Sequence, residues 1–187
     1  LVSWLGERGV NCIVDTSGNP LAYVLAARPA LIKPNVEEAA EVLGRALEND
    51  YQVAEAAYEL QRRGAQRVVI SQGAQGAIGV GPDGCWKAVP PAVQACSTVG
   101  SGDSMVAGLA IALSEGGDLK AGLMLGTAAG AATATIPGTK LCRRADVEAL
   151  LSGVQITRGD RQWMKTNDPG LRGSGVIAYL ASPPNIT

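Results

Sequence analysis

The chain has 187 residues, of which 47% are hydrophobic and 18% charged, so it predicts a folded protein of about one domain. It contains no histidine, which excludes Ser-His-Asp and Cys-His catalysis and metal sites built from imidazole. The formal net charge of −1, the lack of a basic stripe and an aromatic content of 4% argue against a nucleic-acid partner.

The first half of the chain alternates predicted strands and helices. Apolar runs bounded by turn residues predict strands at 10–15, 30–33 and 67–71. Helix signals predict a helix from Pro20, a helix capped by Asn35 with acids in its first turn, and a helix over 51–63 that ends at Gly64. Strands separated by helices are typical of a parallel sheet with both faces covered.

A hairpin and three helices are predicted in the second half. Pro82-Asp83-Gly84 favours a turn between strands at 77–80 and 85–89, and helical sequence follows at 102–114, 119–135 and 145–151. The predicted fold class is therefore α/β, with a mainly parallel sheet and an antiparallel edge. Residues 1–157 are predicted to form one unit. The prolines and glycines of residues 158–187 predict an irregular tail, disordered or non-native, with a small docked extension around 176–180 as the alternative.

Three further features bear on the setting of the protein. The four cysteines (Cys12, Cys85, Cys96 and Cys142) are scattered, which favours reduced thiols in a cytoplasmic protein over disulfides or a zinc site. The small-residue run over 121–136 is too short for a membrane span. The sequence starts at Leu1 and runs directly into helix-like residues, so we expect it to be part of a longer protein.

One glycine pattern does not fit the function that it first suggests. Gly79-Val-Gly81-Pro-Asp-Gly84 matches the dinucleotide motif G-x-G-x-x-G, whose last glycine must open a helix. Here Gly84 leads into a predicted strand instead. The sequence therefore argues against a nicotinamide-binding domain.

A second glycine-rich segment, residues 97–108, is a stronger candidate site. Gly100-Ser101-Gly102 leads directly into an apolar helix, so unpaired backbone N–H groups should meet there and attract an anion. Asp103 beside them could act as a general base for a hydroxyl group. Alternatively, Asp103 caps the helix and the glycines only turn the chain. The residues alone leave both interpretations open.

The same segment resembles a known family. Thr98-Val-Gly-Ser-Gly-Asp103 is similar to the second signature of the PfkB (ribokinase-like) carbohydrate kinases. Lys33-Pro34-Asn35 with Glu38, and Ser71-Gln-Gly73-Ala-Gln-Gly76, resemble two further motifs of that family in the same order. Segments 89–99 and 138–142 are most similar to the minor, PfkB-type 6-phosphofructokinases. The resemblance covers about residues 1–155.

The resemblance implies a role for each matching residue. Asp103 would accept the proton of the attacking sugar hydroxyl, while the N–H groups of Gly100, Ser101 and Gly102 would stabilise the transferring phosphoryl group. The implied nucleotide contacts are Lys33, Asn35, Ser71, Gly73, Gln75, Gly76 and Thr98. Glu38 would organise Mg²⁺ through water. The implied carbonyl ligands of a potassium ion are Ser97, Val99, Thr133, Ile136 and Gly138. Asp15 either forms a turn or supports the phosphate contacts.

The resemblance also implies a fold and an activity. The fold is a three-layer α/β/α ribokinase-like fold whose N-terminal half and β-lid are missing from this chain. The implied reaction is the ATP-dependent conversion of fructose 6-phosphate to fructose 1,6-bisphosphate, with 1-phosphofructokinase or tagatose-6-phosphate kinase as alternatives. A non-catalytic nucleotide-binding fragment is the alternative from another class. We expect a homodimer for the longer protein, and little kinase activity from this chain alone because it lacks an evident sugar site.

Overall fold

The computed structural model describes residues 1–159. The helices are α1 (Val2–Gly6), α2 (Asn19–Ala26), α3 (Val36–Leu43), α4 (Asp50–Arg62), α5 (Ser101–Ser114), α6 (Leu119–Ala134) and α7 (Arg144–Leu151). The strands are β1 (Ile13–Val14), β2 (Leu31–Ile32), β3 (Val68–Ser71), β4 (Ala77–Gly81), β5 (Gly84–Val89) and β6 (Gln155–Arg158), and a short 3₁₀ turn spans Gly73–Gln75. Apart from its first two residues, the predicted tail lies outside the described residues.

The six strands form one sheet in the order β1-β2-β3-β4-β5-β6. Strands β1, β2 and β3 are parallel, and β4, β5 and β6 each run antiparallel to the strand before them. The predicted parallel strands and the hairpin are both present, but the antiparallel part is larger than the sequence predicts. The difference comes mainly from β6, whose first residue is exposed and which offers little hydrophobic alternation.

Helices cover both faces of this sheet. Along β3, Val68 and Ile70 contribute to a core shared with α2, α3 and α4. Val69, between them, contributes to a second core shared with α5, α6 and α7. Because successive side chains of a strand point to opposite faces, this alternation confirms the predicted three-layer α/β/α arrangement.

Helices α5 and α6 approach each other unusually closely. A Cβ atom at Gly108 would lie 2.6 Å from the Gly126 Cα, and one at Gly126 would lie 2.8 Å from the Met105 carbonyl oxygen. Only residues without a side chain fit at such a crossing. The glycines at this crossing therefore allow the close packing of α5 on α6.

The rejected dinucleotide motif is a hairpin turn. Val80 pairs with Cys85 and Gly81 with Gly84, so the last glycine of the pattern belongs to β5 and opens no helix. The turn contributes to packing instead, because the Asp83 Oδ2 accepts a hydrogen bond from the Leu119 N–H (3.1 Å) at the start of α6.

The helix crossing predicts a stability effect. We expect Gly108→Ala to lower the free energy of unfolding by about 1–3 kcal/mol, because the added methyl group would meet the Gly126 backbone. Urea unfolding of the 187-residue chain measures it. Gly6→Ala is the matched control, since a Cβ at Gly6 has no neighbour within 4 Å. Equal unfolding midpoints for the two variants would contradict the close contact.

The core also predicts the reactivity of one thiol. Burial raises the pKa of Cys85 to about 12, whereas Cys96 is exposed. A thiol reagent at mildly alkaline pH should label Cys96 rapidly and Cys85 only on unfolding, as peptide mass spectrometry would detect. In denaturant the two should react alike. Native labelling of Cys85 at the rate of Cys96 would refute this prediction.

Candidate functional site

The carboxyl ends of several strands meet at one edge of the sheet. Strands β1, β2 and β3 point to this edge, and β5 does too because two antiparallel pairings separate it from β3. Asp15 follows β1, Lys33 follows β2, and Ser71 ends β3. Ligands of open α/β sheets bind outside the carboxyl ends of the strands. The predicted site residues therefore lie where such a fold binds its ligand.

Lys33 is a buried cation at this edge. Its side chain is 5% exposed, and its Nζ lies 3.2 Å from the Asp15 Oδ2. The same Nζ is 3.6 Å from the position that a Cβ at Gly102 would take. Asp15 is thus a direct partner of Lys33, and the pair connects β1 and β2 to the start of α5.

The start of α5 presents backbone donors. Gly100 precedes the helix in a left-handed conformation (φ +79°), which favours glycine. The Ser101 N–H donates to the Thr98 carbonyl (3.2 Å), whereas no described residue accepts from the N–H groups of Gly100, Gly102 and Asp103. The Ser101 Oγ is buried and has no hydrogen-bond partner among residues 1–159. Free donors of this kind, together with the helix dipole, favour an anion at this position.

The two sequence interpretations of this segment can now be separated. Gly100 does turn the chain, as expected if the glycines serve only to turn it. Asp103, however, lies in the first turn of α5 and makes no capping hydrogen bond, and its side chain is exposed. Its carboxylate is therefore free to contact a ligand.

A hydroxyl pair braces the same end of α5. The Ser104 and Thr133 hydroxyl oxygens are 2.7 Å apart and buried, and the Thr133 Oγ1 also accepts from the Cys142 N–H (3.2 Å). The segment after α6 is thereby held against the helix start, where the Leu141 Cδ2 would lie 2.7 Å from a Cβ at Gly100. An open cavity of about 500 Å³ adjoins it, lined by Ile136, Lys140, Leu141, Arg143 and Asp146.

The residues predicted to hold potassium lie on two neighbouring segments. The Ser97 N–H donates to the Ala134 carbonyl (3.2 Å), and the Ile136 N–H donates to the Thr133 carbonyl (3.0 Å). Within the described residues, no hydrogen bond connects Val99 or Gly138 to Thr133 or Ile136. The structure thus brings Ser97, Thr133 and Ile136 to the same region beside the anion site.

Asn35 and Glu38 form a reciprocal cap at the start of α3. The Asn35 Oδ1 accepts from the Glu38 N–H and the Glu38 Oε2 accepts from the Asn35 N–H, both at 2.8 Å. Asn35 also forms a parallel bridge to Ser71. The cap predicted at Asn35 is confirmed, and it leaves the Glu38 Oε1 without a partner in the described residues.

The predicted nucleotide loop is a tight turn between β3 and β4. The Gln72 N–H donates to the Gly76 carbonyl (2.8 Å), and Gly73 and Gln75 are exposed. Gly76 has φ +90°, and a Cβ there would overlap the Ala88 carbonyl oxygen of β5. The turn is therefore open to solvent on one side and pressed against β5 on the other. Thr98, the last predicted nucleotide contact, is exposed before α5.

Beside this turn lies a polar cluster that the sequence does not predict. Asp50 at the start of α4 contacts both Gln72, which follows β3, and Lys87 of β5. No local pattern connects residues so far apart in the chain.

Two further properties of the described residues concern metal ligands and membrane-spanning helices. Residues 1–159 contain no group of three or more Cys, Asp or Glu side chains that could hold a metal ion by themselves. In the same residues, no helix has the length and apolar character needed to cross a membrane.

Comparison with known proteins gives a consistent result. Residues 4–146 match a family described as pfkB family carbohydrate kinase. The chain is 41% identical over 152 residues to the ATP-dependent 6-phosphofructokinase isozyme 2 of Escherichia coli, covering 80% of this chain and 49% of that protein. It is 46% identical over 120 residues to the 1-phosphofructokinase of Rhodobacter capsulatus, covering 64% of this chain and 38% of that protein.

A solved structure is similar over the same part of the chain. The phosphofructokinase-2 from Escherichia coli in complex with potassium superposes with a TM-score of 0.78 at 40% identity, covering 81% of this chain and 50% of that one. The chain spans about half the length of the curated relatives to which it is similar.

The turn between β3 and β4 allows a matched test of two glycines. Gly73→Ala places a methyl group in open space at φ +58° and should cost about 1–2 kcal/mol of stability. Gly76→Ala meets a more restricted backbone conformation (φ +90°, ψ −130°) and also overlaps β5, so it should cost more or prevent folding. Urea unfolding compares them. Equal destabilisation would show that β5 does not restrict Gly76.

Proposed function

The chain belongs to the pfkB family of carbohydrate kinases, and we propose that the longer protein predicted from the sequence transfers the γ-phosphoryl group of ATP to a sugar phosphate. The proposed acceptor is fructose 6-phosphate, which would give fructose 1,6-bisphosphate. The observation that carries the proposal is the start of α5, where free N–H groups adjoin the buried Lys33 ammonium and an unpaired carboxylate at Asp103.

The first requirement of phosphoryl transfer is stabilisation of charge on the phosphoryl oxygens. We propose that the N–H groups of Gly100, Gly102 and Asp103 bind those oxygens, together with the otherwise unpartnered hydroxyl group of Ser101. Lys33 would contribute a positive charge. Its ion pair with Asp15, at 3.2 Å, fixes the position of that charge. The geometry thus suits an anion better than a neutral group.

The second requirement is removal of a proton from the acceptor hydroxyl group. We propose that the Asp103 carboxylate accepts this proton as the hydroxyl oxygen bonds to the γ-phosphorus and the bond to the ADP oxygen breaks. Support comes from its exposure and from the lack of any described partner that would occupy its oxygens.

Binding of the nucleotide is assigned to the neighbouring loops. The proposed contacts are Lys33, Asn35, Ser71, Gly73, Gln75, Gly76 and Thr98. The bridge between Asn35 and Ser71 and the exposed turn at 73–75 support this assignment, because both lie at the carboxyl edge of the sheet.

The residues present fit a magnesium ion that is held mainly by phosphate and water. Glu38 keeps its Oε1 free while its Oε2 closes the helix cap, so it could accept a hydrogen bond from a metal-bound water. When bound, Mg²⁺ would neutralise negative charge on the phosphates. Potassium is proposed at the carbonyl groups of Ser97, Val99, Thr133, Ile136 and Gly138.

A second candidate acceptor is fructose 1-phosphate. Its support is the 46% identity to the 1-phosphofructokinase of Rhodobacter capsulatus. A coupled ADP assay of the longer protein with fructose 6-phosphate, fructose 1-phosphate and tagatose 6-phosphate would separate the candidates. No turnover with any of them, together with MgATP binding, would favour a non-catalytic nucleotide-binding protein. That the longer protein forms a homodimer remains a prediction.

The proposed base predicts a kinetic effect. In the longer protein, Asp103→Asn should lower kcat by about 10²–10⁴-fold, because the variant cannot accept the proton. The affinity for MgATP should stay within about twofold, since the backbone donors remain. Steady-state kinetics and calorimetric titration with MgATP measure these two quantities.

The matched control is Glu115→Gln, which removes an acidic charge at the opposite end of α5. Its kcat should equal that of the unsubstituted protein. If Asp103→Asn keeps more than about a tenth of kcat, Asp103 is not the base.

A further inference from the structure

Asp50, the first residue of α4, binds two side chains that come from other elements. Its Oδ1 accepts a hydrogen bond from the Gln72 Nε2 (3.0 Å), and its Oδ2 forms an ion pair with the Lys87 Nζ. The Lys87 and Asp50 side chains are only 19% and 22% exposed. The surface pair Arg144–Glu148, by comparison, is 91% and 58% exposed.

Both partners of Asp50 adjoin the turn between β3 and β4. Gln72 begins this turn and closes it through its N–H, which donates to the Gly76 carbonyl (2.8 Å). Lys87 precedes Ala88, whose carbonyl oxygen lies directly against Gly76. A single carboxylate therefore connects the beginning of the turn to the strand on which the end of the turn rests.

The orientation of this contact is chemically unambiguous. A carboxylate only accepts hydrogen bonds, so the Gln72 amide nitrogen must face Asp50 and both partners of Asp50 are donors. Hydrogen bonds to a charged group are stronger than neutral ones, and partial burial reduces their screening by salt. This distinguishes the cluster from exposed ion pairs, most of which contribute little to stability.

The turn has few other restraints. Residues 73–75 are exposed, and within the described part of the chain none of their side chains forms a hydrogen bond. Their internal hydrogen bonds are between backbone groups, Gln75 N–H to Gln72 and Gly76 N–H to Gly73. Two of the five residues from 72 to 76 are glycines, which lose more conformational entropy on ordering than other residues do.

We propose that Asp50 is a positioning residue for the nucleotide turn at residues 72–76, which it holds against β5 through Gln72 and Lys87 and thereby sets the affinity for ATP. This inference rests on the proposed function, because it needs the turn to bind a nucleotide. A turn that is ordered before binding loses less conformational entropy when the ligand arrives. Asp50 itself is not among the residues proposed to contact the nucleotide.

The test uses the full 187-residue chain and two readouts. Amide hydrogen exchange without nucleotide should be about tenfold faster at residues 73–76 in Asp50→Asn, because the ion pair with Lys87 is lost. The dissociation constant for MgATP, from calorimetric titration, should rise by about tenfold. Asp50→Glu, which retains the carboxylate, should restore a substantial part of both effects.

Two controls separate positioning from a general loss of stability. Glu55→Gln removes a carboxylate that accepts from the Tyr51 hydroxyl on the same helix, and it should change neither readout. Lys87→Gln should have a smaller effect when Asp50 is already Asn than in the unsubstituted chain. All titrations are made at a temperature where urea unfolding shows each variant to be folded.

The outcomes distinguish this inference from the proposed function. Equal exchange and equal MgATP affinity in Asp50→Asn and in the unsubstituted chain would overturn the role of Asp50 alone. Faster exchange across all of α4 and the sheet would also overturn it, because Asp50 would then be a general stabilising residue. Failure of the unsubstituted chain to bind MgATP would instead contradict the nucleotide contacts proposed for this chain, on which the role of Asp50 rests.

Discussion

Burial of one ammonium group is the constraint on which the candidate site depends. As a whole residue Lys33 is 4% exposed, and its ammonium group carries three donors. Among the described residues, however, only Asp15 forms an ion pair with it. A buried charge is costly unless partners compensate it, and one partly exposed carboxylate compensates it incompletely. The end of β2 nevertheless holds Lys33 beside Gly102, next to the free N–H groups of α5. The site therefore has positive potential that a phosphate group would neutralise.

Close packing of α5 on α6 fixes where that potential is directed. The contact between Gly108 and Gly126 continues to the first residue of α5, because a Cβ at Gly130 would lie 3.1 Å from the Ser101 carbonyl oxygen. The buried hydroxyl pair of Ser104 and Thr133 lies at the same end. Side chains larger than glycine would separate the helices and move the N–H groups with them. The small residues of α6 thus contribute to the geometry of the site as well as to the core.

Local signals in the sequence were sufficient for most of the fold and for part of the site. The cap at Asn35 and the turn at Pro82-Asp83-Gly84 depend on neighbouring residues, so their patterns predict them directly. Lys33 and Ser71 come to one edge because each follows a parallel strand, which the alternation of strands and helices also predicts. Strand β6 is not predicted because only Ile156 of its four residues packs against the core, so the strand is defined mainly by backbone pairing with β5. Backbone pairing of this kind produces no hydrophobic pattern in the sequence.

The residues that the sequence could not assign act only through tertiary contacts. Asp50 is 22 positions from Gln72 and 37 from Lys87, and no spacing rule connects three elements across such distances. Among the ion pairs of the described residues, Lys33–Asp15 and Lys87–Asp50 have the least exposed cations, at 5% and 19%, and both pairs lie at the carboxyl edge of the sheet. One adjoins the start of α5 and the other adjoins the turn at 72–76. Because partly buried pairs are screened less by salt than surface pairs, they can restrain these two segments while the segments themselves stay exposed to a ligand. The motif patterns therefore identify Lys33, which is proposed to bind, but not Asp50, which is proposed only to position the turn.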